Sequence, residues 1–389
     1  MLARVYFSKN PVLKFAVEDV LEQLMEDRFY RYQDFDLALV SFSPKVYPID
    51  NRAIETFDNY FGENKWVAFH STTAFANEKT VKDALVVLFI KFTSNGGFRI
   101  FSVKGLSQNY RGLLKQTAEY LESYHGKKHL HLIFSTFSQG LVGFFIEDLG
   151  KELKRITNLV GGVASGIDVP SFGVIANVYT SEGVIKDGFA ILTLENVEFA
   201  TGQALGYRIL GPIYTVTKAE ENRILEVEHE KVERLIKKLS RGLNERDIRI
   251  FWYSPIAILN EYRKSVSVLR SFKRIPCNKE YLEFYGPIRE GWKFRFSFGL
   301  KEELLRANTE EAIRVQNAVG EIDVAFNFSC LARQFILEDL YEEEARRYSA
   351  IFNTPLFGFY TLGEIGIDRI GRKLKYNNQT SVIVGVREL

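Results

Sequence analysis

The chain opens with ARVYFSKN (3–10), PVLKFAVEDVLEQLMED (11–27) and DLALVSFSP (36–44). The outer two passages are short, β-branched and aromatic, as strands are. In the middle one apolar residues recur every three or four positions, the spacing of a half-buried helix. The succession returns as GGFRIFSVKG (96–105), LLKQTAEYLESYH (113–125) and HLHLIFSTFS (129–138). It returns again as GWKFRFSFGLKEE (291–303), EEAIRVQNAVG (310–320) and VAFNFSC (324–330). Each passage continues into a helix, a strand with a polar end, and further strand. In the first these are NRAIETFDNYFG (51–62), WVAFHSTTAF (66–75) and DALVVLFIKF (83–92). In the second they are FFIEDLGKELKRIT (144–157), LVGGVASG (159–166) and the strands through GFAILTL (188–194). In the third they are LEDLYEEEARRYSAIF (337–352), LFGFYTLGEIG (356–366) and TSVIVGV (380–386).

This predicts an α/β protein of layered sheets, built from a β-α-β-α-β-β unit used three times: an N-terminal double unit and a C-terminal single unit. Chance likeness between α/β patterns is the alternative. The match of FRIFS to FRFSF, each followed by the same element order, favours duplication. The stretch 201–290 lies outside the repeats. It holds a strand–turn–strand, GYRILGPIYTVTKAEENRILEV (206–227), and a periodic helix, EHEKVERLIKKLSRGL (228–243), capped by Gly242. The expected division is 1–215 and 216–389. No Pro- or Ser-rich linker separates the parts, so they are expected to pack tightly.

With 51 basic and 49 acidic residues in 389, the net charge is +2. That lacks the basic excess of a dedicated nucleic-acid binder, and the richest basic stretch, Lys264 to Lys279, reads as a solvated face. No apolar run is long enough to span a bilayer, and MLARVYFSKN is not a signal peptide. The two cysteines, Cys277 and Cys330, have no motif spacing, so neither a disulfide framework nor a metal site is expected. The expectation is a cytoplasmic protein without a cofactor.

From Val324 to Val386, two apolar strands each end in small, polar and charged residues: Ser329, Cys330 and Arg333 after the first, Tyr360, Thr361, Gly363 and Glu364 after the second. Ligands of α/β proteins lie beyond strand ends. These motifs resemble the FIST family of sensory ligand-binding domains: F-S-C-x-x-R at Phe328 to Arg333, G-F-Y-x-x-G-E-I-G at Gly358 to Gly366, and N-x-T at Asn378 to Thr380. The GGVASG run from Gly161 to Gly166 and the 209–227 strand pair match its N-terminal part, so that the resemblance spans roughly 34–386. It implies a small polar ligand, an amino acid among the candidates, bound between the N- and C-terminal halves, with the signal passed to a partner chain.

The expected ligand-binding residues are Arg333, Glu364, Tyr360, Thr361, Gly363, Ser329 and Cys330 from the third copy. Gly161, Gly162 and Ser165 come from the second, and His70 and Ser71 from the first. A guanidinium forks onto a carboxylate, and a glutamate accepts from an amine; the alternative is that Arg333 and Glu364 pair with each other. Asn378 and Thr380 are expected to brace the Tyr360 turn. Gly161 and Gly162 suit tight backbone packing better than a phosphate loop. His129 and His131 share one strand face and read as an exposed pair. Cys330 is a buried small hydrophobe, or, with Arg333 lowering its pKa, an accessible thiolate. The rival functions are an enzyme using Cys330 or Glu364 on a carbonyl or amide, and a peptide-binding scaffold.

Overall fold

The computed structural model describes all residues except 28–33, 156, 169–172, 240–252, 261–265, 275–279 and 368–372. Gly242 and Cys277 fall outside the described residues. The first unit runs β1 (Leu2–Ser8), α1 (Leu13–Glu26), β2 (Leu37–Phe42), α2 (Asn51–Phe61), β3 (Trp66–His70), a hairpin of β4 (Thr73–Ala76) and β5 (Lys79–Lys82), and β6 (Leu85–Lys91). The second runs β7 (Gly97–Lys104), α3 (Tyr110–Glu122), β8 (His129–Ser135), α4 (Leu141–Glu152) and β9 (Leu159–Val163). The short β10 (Ile167–Asp168) and β11 (Gly173–Val174) follow, then a hairpin of β12 (Val178–Thr180) and β13 (Gly183–Ile185), and β14 (Gly188–Glu195).

The third unit opens with β15 (Val197–Ala204) and is interrupted by an insertion. The insertion comprises β16 (Tyr207–Glu220), β17 (Arg223–Val227), β18 (Glu230–Lys231), α5 (Glu233–Leu239), β19 (Ile256–Leu259), β20 (Val266–Arg270), β21 (Phe272–Arg274), β22 (Leu282–Phe284) and β23 (Lys293–Gly299). The unit then resumes with α6 (Lys301–Val319), β24 (Val324–Cys330), α7 (Leu331–Leu337), α8 (Glu343–Phe352), β25 (Leu356–Thr361), a hairpin of β26 (Glu364–Ile367) and β27 (Leu374–Asn377), and β28 (Ser381–Glu388).

The three units build three sheets of one plan: β1-β6-β2-β3, β7-β14-β8-β9 and β15-β28-β24-β25. In each, the last two strands of this order, which are the second and third of the unit along the chain, are parallel and the other neighbours antiparallel. Each sheet is then extended by a hairpin from another unit. β4 of the first pairs with β25 of the third, β12 of the second with β3 of the first, and β26 of the third with β9 of the second. The units are therefore laced in a ring, and none can leave without breaking a ladder.

One strand assignment from sequence is corrected. KFRFSFG (Lys293–Gly299) does not open the third unit; it pairs with β16 and β19 in the inserted sheet. β15 takes the opening place, paired with β28 from Val197↔Glu388 to Ala204↔Ser381. An alternating strand declares its faces but not its partner. The segment VEFATGQA has only two large apolar residues, Val197 and Phe199, so it reads only weakly as a strand.

Helices cover the outer faces of the sheets, and the inner faces share one apolar core. At its centre Phe69, Phe134 and Phe359 come one from each unit; their ring centroids lie 4.6 Å (Phe69–Phe134) and 4.4 Å (Phe69–Phe359) apart. Burying such a ring contributes about 1.5–3 kcal/mol. Gly161 and Gly358 occupy matching places in the third strands, opposite Ile133 and Asn327. A Cβ there would lie 2.0 Å from Ile133 O or 1.9 Å from Asn327 O, so close strand approach requires glycine.

The expected exposed histidine pair is also corrected. His129 and His131 are both buried, their rings 4.6 Å apart, against Tyr120 and Tyr124. Alternation placed them on one face, and α3 covers that face.

Candidate functional site

The third strands of the three units end against one another. Ser71 and Ser165 form a parallel bridge, Ser165 N donates to His70 O at 3.0 Å, and Thr72 Oγ1 donates to Ser165 O at 3.2 Å. Val163 N donates to Gly363 O at 2.9 Å, Leu362 N to Val163 O at 3.1 Å, and the Ser165 hydroxyl to Tyr360 O. The structure thus brings Ser71, Ser165, Tyr360 and Gly363 together, as their sequence contexts suggested. Ser71 Oγ donates to Thr73 O at 2.7 Å, so these hydroxyls serve the junction itself.

Beside it lies a buried cluster around Glu364. Its Oε1 accepts from Thr361 Oγ1 at 2.6 Å; its Oε2 accepts from Thr380 Oγ1 at 2.8 Å and Thr380 N at 3.1 Å. Thr380 therefore braces the turn through Glu364. Burial pushes the carboxyl up to about 8, against the pull of the two threonines. Gly162 pairs with Glu364 across β9 and β26, and a Cβ on it would strike Thr361. A Cβ on Gly363 would lie 2.1 Å from the Tyr376 hydroxyl. Asn378 is buried, and its Oδ1 has no hydrogen-bond partner among the described residues.

Cys330 pairs with Thr361 in the ladder and is 4 % exposed. Burial, and then Glu364, push its thiol well up; Arg333 counts least among the causes. The thiolate alternative is therefore opposed by the site itself.

Arg333 and Glu364 do not form an ion pair with each other among the described contacts. Arg333, fully buried on α7, donates through Nη2 to Asn308 Oδ1 at 2.7 Å and through Nη1 to Leu205 O at 3.2 Å. Its charge partner is Glu344 on α8, with Nε 3.6 Å from Oε1. Ser329 Oγ donates to the same oxygen at 2.8 Å, and the Tyr360 hydroxyl to Oε2 at 3.5 Å. Alternation explains the split: Phe326 and Phe328 face the shared core, whereas Asn327 and Ser329 face the helices. Arg333 Nε, Asn308 Nδ2 and Asn327 Nδ2 are buried polar atoms without a hydrogen-bond partner among the described residues.

His70 stands apart from both clusters. Its ring packs on Phe42 and Tyr179, Nδ1 lies 3.1 Å from Ile175 O, and Nε2 lies 2.9 Å from the Tyr179 hydroxyl. Burial drives its pKa down to about 3, so the ring is neutral, and a proton on Nδ1 satisfies both contacts.

A cleft of 670 Å³ opens between the second unit and the inserted sheet. One wall carries Phe137, Gln139 and Asp148; the other carries Arg223, Lys273 and Tyr285. Ser138, Gln139 and Gly140 have φ of 42°, 54° and 94°, three consecutive left-handed residues, of which only the last is free of a Cβ penalty. Lys273 and Arg223 approach Glu283 at 3.0 and 3.8 Å. Tyr285 reaches across to Phe137, ring centroids 6.5 Å apart. Burial raises its pKa. Sequence reading missed these wall residues. The one available signal was the Glu221–Asn222 turn between two clear strands, which puts Arg223 at a strand start.

Among the described residues no group of three or more His, Cys, Asp or Glu side chains is placed to hold a metal ion. No helix among them is long and apolar enough to cross a membrane. The FIST N domain matches residues 36–230 and the FIST C domain residues 223–367. An uncharacterized protein of Aquifex aeolicus (strain VF5) is 38% identical over 267 residues, 67% of this chain and 95% of that protein. The two domain matches together run from residue 36 to residue 367, and the chain belongs to the FIST family of ligand-binding sensory domains.

Proposed function

We propose that the chain is a cytoplasmic sensor that binds a small polar ligand, an amino acid in the first instance, in the cleft between the second unit and the inserted sheet. The observation that carries this is the cleft itself: 670 Å³, walled by an N-terminal segment on one side and a C-terminal one on the other, with aromatic surface and both signs of charge. In this reading residues 1–215 and 216–389 supply the two walls. Arg223 and Lys273 meet the ligand's carboxylate, and Glu221 its amine. Closure of the walls passes the signal to a partner chain.

Binding to the native state alone stabilises it by about 2.7 kcal/mol at a hundredfold excess over Kd. A thermal-shift screen of the proteinogenic amino acids and related metabolites is therefore the direct test. A hit whose shift vanishes in Arg223→Ala, with the melting temperature of the free protein unchanged, supports the reading. Silence across the screen sinks it.

A further inference from the structure

The three sheets of one plan each begin on an edge strand, β1, β7 and β15, so the molecule carries its own controls for how such an edge is finished. In an antiparallel ladder every second residue turns both backbone groups away from its partner strand. On β1 these residues are Ala3, Val5 and Phe7, and side chains close all three carbonyls. Arg4 Nη1 donates to Ala3 O at 2.8 Å, Asn77 Nδ2 to Val5 O at 3.3 Å and Gln23 Nε2 to Phe7 O at 3.2 Å. On β15 the outward residues include Thr201 and Gln203, and α6 serves both. Arg314 Nη2 donates to Thr201 O, and Gln203 N donates to Glu311 Oε2 at 3.3 Å.

The β7 edge is finished differently. Gly105 N donates to Asp187 O at 2.7 Å, so Arg99, Phe101 and Val103 face β14, and Phe98, Ile100 and Ser102 face outward. Among the described residues none hydrogen-bonds to the outward backbone groups of these three, and none of the three is buried. The open stretch is bounded at both ends: Gly96 N donates to Glu388 Oε1 at 2.9 Å, and Lys104 Nζ donates to Glu182 O at 2.7 Å. Its centre is therefore Ile100. An uncapped edge is a template for another strand, which is why edges are normally blocked; here the two equivalent edges are blocked and this one is not.

We infer that the Phe98–Ser102 edge pairs antiparallel with the same edge of a second copy of this chain, about a two-fold axis at Ile100. The strand is self-complementary in that register. Ile100 of one copy meets Ile100 of the other, Phe98 meets Ser102, and Arg99 meets Phe101, so no like charges stand opposite. Arg99 is already paired within its own chain, Nε to Glu195 Oε1 at 3.0 Å. Outward residues meet outward residues, as the ladder bonds require, and both faces continue across the axis. Phe98 and Ile100 lie on the side of the shared core, and Phe101 lies on the α3 side, stacked on Tyr120 with centroids 4.3 Å apart. Two six-stranded sheets thereby become one. This interface is independent of the ligand cleft.

The test is the mass of the full chain in solution, by light scattering and sedimentation over a wide range of concentration. A dimer is expected. Hydrogen exchange in peptides covering 97–104 should slow as concentration rises, while exchange in peptides covering the capped β1 edge stays constant. Ile100→Pro removes an outward N–H without touching the β14 ladder, a change that edge strands accept. It should raise the dimer dissociation constant about tenfold or more, leaving a folded monomer where the parent is dimeric. Should that variant not fold, the concentration dependence of exchange in the parent decides alone. A monomer at every concentration, exchange at 97–104 that ignores concentration, or a dimer that survives in folded Ile100→Pro would overturn the pairing.

Discussion

Arg333 Nε lies 3.6 Å from Glu344 Oε1, and neither side chain reaches solvent. A buried charge is tolerable only while its partner remains. Glu344→Gln should therefore cost about 3–5 kcal/mol, the range for breaking a buried pair. The double variant Arg333→Met/Glu344→Leu should cost clearly less than the sum of the singles. Chemical unfolding of all four proteins checks this; additive losses would show that the pair is not coupled.

Glu364 gives a pH signature of definite sign. Its carboxyl is raised from 4.5 to about 8 by burial, so its contribution to stability is fully present below about pH 4.5 and is lost as pH rises through 8. The slope of this one group cannot exceed about 1.4 kcal/mol per pH unit. Glu364→Gln should flatten the melting profile between those limits. A variant with an unchanged profile would contradict the shift.

His70 and His131 act in the opposite sense. Burial lowers both to about 3, so their contribution is present above pH 6.5 and is lost as pH falls towards 3. His131→Phe should make acid unfolding less steep, as followed by circular dichroism from pH 7 to 3. A steeper profile in the variant would show that His131 is charged in the fold.

Cys330 should resist alkylation in the native protein at neutral pH and react once the chain unfolds, because burial holds the thiol protonated and out of reach. Mass spectrometry of iodoacetamide-treated protein reads this directly. Rapid native labelling at Cys330 would revive the enzyme reading.

Gly161→Ala should destabilise strongly, by about 1–3 kcal/mol or more, because its Cβ would meet backbone, Ile133 O at 2.0 Å, rather than a side chain that can swing aside. Gly211→Ala, where nothing lies within 4 Å, is the control for the loss of glycine itself at positive φ. Equal melting temperatures for the two variants would remove the packing argument.

Much of the fold was legible because its signals are local. The periodicity of α1, α3 and α6 and the apolar strands beside them fixed element type and order, and the FRIFS and FRFSF likeness pointed to repetition. The same likeness misassigned β23, since hydrogen-bonding partners are not written into a strand's own pattern. The exchanged hairpins left no local trace either; β4, β12 and β26 look like ordinary continuations of their own units. At the site, the polar strand ends were visible, and Ser71, Ser165, Tyr360, Thr361 and Glu364 do converge. The bracing by Thr380 was visible as well; the partners of Arg333 were not, because Asn308 and Glu344 sit on two separate helices that only the fold brings to it.

The amino-acid sequence by itself determined the class of fold, the thrice-used unit and the family, all of which follow from local periodicity and short motifs. The tertiary structure alone decided that Arg333 belongs to Glu344, that Cys330 is a protected thiol, and that the open cleft lies against the inserted sheet. Those outcomes depend on burial and on which distant groups meet, and neither is encoded in the spacing of neighbours along the chain.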